Sequence, residues 1–225
     1  MAEQLVLALA EAEPPSFANF VVGANGEAVA ALTAAAAGRA PGSIVLWGAE
    51  GSGRTHLLRA FAAAAGARYV ASAAALDEDT DMRAAAIDDA DRSDAPGQAR
   101  LFTLYNAVRA RGGTFVAATD APPARVALRD DLRTRLGWGL TFELRALADA
   151  DKPAALLAHA RQLGITLGDD VIAYLLAHGR RDMRTLLSTL AALDRHSLST
   201  HRAITVPLLR DWMARNAPAP ASGSG

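Results

Sequence analysis

The chain has 225 residues, enough for one medium domain or for a larger and a smaller one together. Hydrophobic residues make up 51%, so a sizeable core can be buried, while a net charge of -1 leaves no broad basic footprint of the kind that nucleic-acid binding needs. The chain has no cysteine, which excludes a disulfide framework or a cysteine metal site and fits a cytoplasmic location.

Residues 1–13 read as a flexible arm closed by Pro14-Pro15. The run Leu5–Ala10 within it is too short to cross a bilayer and follows Glu3 rather than a basic cluster, so neither a membrane span nor a secretory signal is expected. Helical spacing covers Glu27–Ala37 and stops at Gly38. Ser43–Trp47 (SIVLW) is an apolar run of buried-strand type, followed by a glycine loop and a helix over Thr55–Ala65. Arg68–Ala71 is a candidate second strand, and Met82–Ile87 leads into an acidic cluster. Gln98–Ala110 is helical, Thr114–Ala118 (TFVAA) is another buried strand, and Leu140–Leu144 is the last strand candidate.

Strands alternating with helices predict an α/β domain with a parallel sheet and crossover connections. From about Ala148 the pattern turns helical throughout, over Ala154–Gln162, Asp170–His178, Met183–Asp194 and Pro207–Arg215. The expected organisation is an arm over 1–13, an α/β nucleotide-binding domain over 14–147, a small all-helical lid over 148–216 and a disordered tail over 217–225.

Three segments carry chemistry. Gly48-Ala49-Glu50-Gly51-Ser52-Gly53-Arg54-Thr55 has the spacing of a Walker A loop, with Arg54 in place of lysine. Gly48, Gly51 and Gly53 let backbone N–H groups turn toward phosphates, and the helix that follows favours anions at its N-terminus. Ser52 and His56 join the candidate contacts, and Thr55 is the candidate Mg²⁺ ligand. An ordinary glycine turn is the plain alternative. Arginine brings positive charge to the phosphates but as a wide planar fork, which favours binding over fast hydrolysis.

Ala84-Ala85-Ala86-Ile87-Asp88-Asp89 reads as the end of a Walker B strand, with Asp88 in the Mg²⁺ shell and Asp89 orienting or activating water. Asp77, Glu78, Asp79, Asp81, Asp91 and Asp94 crowd nearby, so a solvated acidic turn is the alternative. Thr119-Asp120 ends the next strand, where a polar side chain reaches the γ-phosphate region or else caps the turn before Pro122-Pro123. Arg133 or Arg135 is a candidate for a finger supplied in trans, and Arg184 for an arginine bending back from the lid; surface ion pairs are the alternatives.

In this order the motifs resemble the DnaA/Hda branch of the AAA+ family, and the likeness runs from about Gln4 to Arg215. Phe17-Ala18-Asn19-Phe20-Val21-Val22-Gly23-Ala24-Asn25 is similar to the segment that wraps adenine in that branch, which implies nucleotide contacts from Phe20, Val21, Val22 and Asn25. Arg133-Thr134-Arg135-Leu136-Gly137-Trp138-Gly139 resembles its arginine-finger box, with Arg135 as the finger and Thr134 where serine is usual. Arg181-Asp182-Met183-Arg184-Thr185-Leu186 resembles its sensor 2 helix, with Arg184 as the sensor. Gln4-Leu5-Val6-Leu7-Ala8-Leu9 resembles the sliding-clamp motif of the Hda side of the branch: Leu5, Leu7 and Leu9 fall on one side of an extended peptide beside Gln4. Arg54 in the Walker A loop, and a helical domain not followed by a helix-turn-helix domain, also favour the Hda side.

The resemblance implies a regulator that holds ADP or ATP with Mg²⁺ and docks on the DNA-loaded sliding clamp. It would then stimulate ATP hydrolysis by DnaA, repressing re-initiation. DNA would be met mainly through the clamp, no membrane is involved, and self-association is possible. Weak intrinsic turnover is expected. The alternative is a self-sufficient AAA+ ATPase related to helicases or clamp loaders; a P-loop kinase or a pure binding module would not need the whole set. The stretch before Asp88 is short and rich in alanine and acid, so a trimmed second strand and following helix are expected.

Overall fold

The computed structural model describes residues 14–39, 42–76, 81–179 and 182–216. They fall into two compact units, one over Pro14–Leu147 and one beginning at Ala148.

The first unit is built on five parallel strands: β1 (Ser43–Trp47), β2 (Arg68–Val70), β3 (Ala84–Ile87), β4 (Thr114–Thr119) and β5 (Leu140–Glu143). Their spatial order is β2-β3-β4-β1-β5. Strands buried on both faces read as unbroken apolar runs, and β1 and β4 do. Successive side chains then serve opposite layers. Val45, Ala85, Ile87, Phe115 and Ala117 pack on one face. Leu101, Leu104 and Val108 of α3 (Ala95–Ala110) cover them, with Leu132 and Leu136 of α4 (Asp130–Gly137). On the other face Ile44, Leu46, Ala86, Val116 and Ala118 meet Leu32 of α1 (Gly26–Ala36). Leu57, Leu58 and Phe61 of α2 (Arg54–Ala65) complete that layer.

Three elements differ from the sequence reading or refine it. Helix α3 starts at Ala95 rather than Gln98, because Asp94 caps it by accepting from Gly97 N at 2.8 Å and a proline occupies the first turn. Helix α4 had no expectation; its apolar signal is two leucines four apart in an otherwise polar octet. Between β2 and β3 the described residues form one 3-10 turn, Ala73–Ala75, and no α-helix, in line with the trimming expected there.

The second unit holds α5 (Lys152–Gln162), α6 (Asp169–His178), α7 (Met183–Thr200) and α8 (Val206–Asn216) around their own core. Leu156, Ile172, Leu175, Leu186, Leu193 and Leu209 are buried in it. Asp182 caps α7 by accepting from Thr185 N at 2.9 Å. The helix runs beyond the expected Asp194, to Thr200. No helix among the described residues is long and apolar enough to cross a membrane.

Candidate nucleotide-binding site

The carboxyl ends of β1, β3 and β4 lie side by side, the place where open parallel sheets receive ligands. The loop after β1 is shaped by close approaches. A Cβ at Gly48 would strike the carbonyl oxygen of Leu144, and one at Gly53 would lie 2.6 Å from the Phe20 ring. Gly53 also has φ +99, a left-handed conformation that leads directly into α2. Ser52 is 4% exposed and its Oγ has no hydrogen-bond partner among the described residues. A buried, unsatisfied hydroxyl is costly unless a ligand completes it. With the helix N-terminus beside it, the loop fits a phosphate chain.

Thr55 and Asp88 meet across the site. Thr55 Oγ1 donates to Asp88 Oδ2 at 2.6 Å, Tyr69 Oη donates to the same oxygen at 3.0 Å, and Asp89 N donates to Asp88 Oδ1 at 3.1 Å. The Asp88 backbone is pinned too, its N–H donating to Val70 O at 2.8 Å. Mg²⁺ beside a phosphate chain takes only one or two protein ligands, the rest being phosphate oxygens and waters. A hydroxyl and a carboxylate already in contact at the mouth of the loop fit that demand, and Thr55 and Asp88 are that pair.

Asp89 takes a left-handed conformation, φ 45. Burial pushes its carboxyl above the ordinary range, Arg92 opposes that, and Asp88 adds to it. Asp120 is the centre of a charge cluster. Arg92 Nη2 donates to its Oδ2 at 2.9 Å, and Arg54 Nη1 lies 2.6 Å from its Oδ1. The Arg54 contact is an ion pair whose N–H direction falls short of an aligned hydrogen bond. The hydrogen bond from Arg92 first, and Arg54 second, hold the Asp120 carboxyl below its usual range. Thr119 is fully buried and its hydroxyl donates to Ala121 O at 2.7 Å, which makes it a turn cap in this arrangement. Arg92, Tyr69 and Arg59 were not anticipated. Arg92 stands three residues past the acidic pair, while Tyr69 pairs with Ala86, two positions before Asp88, a signal visible only once β2 and β3 are paired.

The segment over 16–25 folds onto the loop. The Phe20 ring centroid is 5.3 Å from that of His56, and His56 Nε2 lies 3.0 Å from Ser16 O. Val22 is exposed and Val21 half-buried. Asn25 is buried and its amide bridges the Arg145 backbone in both directions, at 2.9 Å each. That anchors the segment to the chain after β5.

Arg133 and Arg135 lie on α4, whose start is fixed by Gln98. Gln98 Nε2 donates to Ser93 O and its Oε1 accepts from Arg129 N. Arg133 is paired with Asp130 at 2.6 Å. The Arg135 guanidinium stands 4.4 Å from the Trp138 ring centroid and 5.9 Å from that of Phe102. Trp138 is 66% exposed. A Cβ at Gly139 would overlap the Ser43 backbone, so glycine is needed for β5 to start alongside β1. Gln4, Leu5, Leu7 and Leu9 lie outside the described residues, as does the side chain of Arg184, which sits on the first turn of α7.

A glycine loop after β1, an acidic pair after β3, this strand order and a separate helical unit give the chain the α/β fold of AAA+ proteins with a helical domain of its own. Residues 149–213 match the family described as Hda, lid domain. AMPPCP-bound DnaA from Aquifex aeolicus superposes with a TM-score of 0.67 at 20% identity, covering 80% of this chain and 65% of that one. Domain III of the Thermotoga maritima replication initiation protein DnaA gives 0.69 at 19% identity, covering 91% and 97%. The Thermotoga maritima RuvB Holliday junction branch migration motor gives 0.62 at 19%, covering 90% and 72%. The chain thus spans just under two thirds of the Aquifex DnaA chain. The likeness to the Hda lid family lies in the helical unit, and the likeness to the DnaA and RuvB structures lies in the fold.

Proposed function

We propose that the protein regulates replication initiation by completing the ATP site of DnaA. It binds ADP or ATP at the loop Gly48–Thr55, docks on the DNA-loaded clamp through Gln4, Leu5, Leu7 and Leu9, and presents Arg135 to ATP held by DnaA. The observation that carries this reading is Arg135 itself, displayed beside an exposed tryptophan while its neighbour Arg133 is neutralised by Asp130.

The chemistry asked of Arg135 is electrostatic. A guanidinium brought against the transferring phosphoryl group offsets the charge spreading over its oxygens, and its planar fork reaches two of them at once. Within the protein's own site, Arg54 brings charge to the phosphates, Ser52 Oγ and the loop N–H groups orient them, and Phe20 and His56 flank the cradle. Mg²⁺, when bound at Thr55 and Asp88, neutralises phosphate charge there. The acid that faces Arg54 is Asp120, so the Arg54 guanidinium is shared between that carboxylate and the phosphates.

The test is hydrolysis of DnaA-bound ATP with and without this protein and clamp-loaded DNA. Stimulation is expected, and Arg135→Ala should remove most of it, since fingers supplied in trans are worth about 10³–10⁵ in rate. Arg135→Lys should rescue poorly and Arg133→Ala should act like wild type. Full stimulation by Arg135→Ala would overturn the proposal. Asp89 beside Asp88 supports a second reading, a self-sufficient ATPase. Turnover of about 1 s⁻¹ or more by the isolated protein would favour it.

A further inference from the structure

We infer that Tyr69 is a positioning residue for Mg²⁺, acting through Asp88. Asp88 is buried at the end of β3. Two hydroxyls, from Thr55 on α2 and Tyr69 on β2, converge on its Oδ2 from different elements, at 2.6 and 3.0 Å. A carboxylate held on one oxygen by two donors, and on the other by the Asp89 N–H, has its plane fixed. Thr55 can then turn an oxygen lone pair toward a cation while its O–H goes on donating to Asp88. Tyr69 is what keeps that carboxylate in place as Thr55 adjusts.

Tyr69 is itself held. Its ring packs in the layer with α2, and the Arg59 guanidinium, one turn along α2 from Thr55, lies 4.8 Å from the ring centroid. The register Tyr69↔Ala86 and the bond from Asp88 N to Val70 O set the reach from phenol to carboxylate. Three-residue β2 therefore does more than complete the sheet edge. It delivers one hydroxyl to the acid that serves the cation.

This inference rests on the nucleotide reading above, and the experiment separates the two. A fluorescent ADP is titrated in EDTA, and Mg²⁺ is then titrated at fixed ADP, for wild type, Tyr69→Phe, Asp88→Asn and the double variant. Tyr69→Phe keeps the ring and removes only the hydroxyl. Its affinity for ADP in EDTA should match wild type, while the Mg²⁺ midpoint should rise about tenfold, the low end of what loss of such an outer partner costs a metal site. In the Asp88→Asn background, Tyr69→Phe should add nothing. An unchanged Mg²⁺ midpoint in Tyr69→Phe, or an equal fall in ADP affinity with and without Mg²⁺, overturns the inference. If Tyr69→Phe fails to fold, Arg59→Gln, which loosens the ring but leaves the phenol, must raise the midpoint or the inference falls. Failure of the wild type to bind ADP at all would instead sink the nucleotide reading.

Discussion

At the scale of single residues, the site is a set of charges sharing few partners. Asp89 is the clearest case. Its carboxyl is raised chiefly by burial, and it sits in a left-handed conformation that asparagine tolerates well. A group whose folded pKa is raised stabilises the fold fully only below its unfolded pKa, and that contribution is lost as pH rises through the folded value. Asp89→Asn should therefore raise the melting temperature at pH 7, and the gain should vanish near pH 4; thermal melts at the two pH values check it. Asp120 has the opposite sign. Its carboxyl is depressed by Arg92 and Arg54, so its contribution is present at neutral pH and lost as pH falls below about 4. Asn25 is a different kind of residue. Both ends of its buried amide serve the Arg145 backbone, so Asn25→Ala should cost about 1–3 kcal/mol, read as a lower denaturant midpoint.

At the scale of elements, α4 is a short helix held to the sheet by Leu132 and Leu136 and fixed at its start by Gln98. Either leucine changed to alanine should cost about 2–5 kcal/mol. Stimulation of DnaA should fall with it even though Arg135 is intact, and hydrolysis assays below the melting point check this. This helix also shows where the sequence stopped being legible. Strands β1 and β4 announce themselves because both faces are buried and their runs are almost wholly apolar. The lid helices do so by their spacing. Helix α4 is polar around two leucines, so periodicity has little to grip, yet its motif was readable because glycine and tryptophan are distinctive. The spacing of the loop, and the acidic pair downstream of it, brought Thr55 and Asp88 forward as candidates, and the fold puts the two side chains in contact. Tyr69 was not anticipated because it reaches the site by strand pairing, and Arg92 because its partner Asp120 lies 28 residues away in the chain. Of the two sequence readings of Thr119, the structure displays the cap, its hydroxyl donating to Ala121 O.

At the scale of the molecule, two units have separate cores. Unfolding should therefore depart from a single transition, with calorimetric and van't Hoff enthalpies that disagree. ADP at about 100 times its Kd should stabilise the transition of the Pro14–Leu147 unit by about 2.7 kcal/mol. The stack of Arg135 on Trp138 has an optical consequence. Trp138 is the most exposed of the three indoles, and Trp47 and Trp212 are each partly shielded by their own unit. A partner seated over Arg135 would dry that indole and move its emission to the blue, with the charge beside it altering its intensity. The surface that meets DnaA in this proposal carries its own fluorophore, so the encounter can be timed without a label.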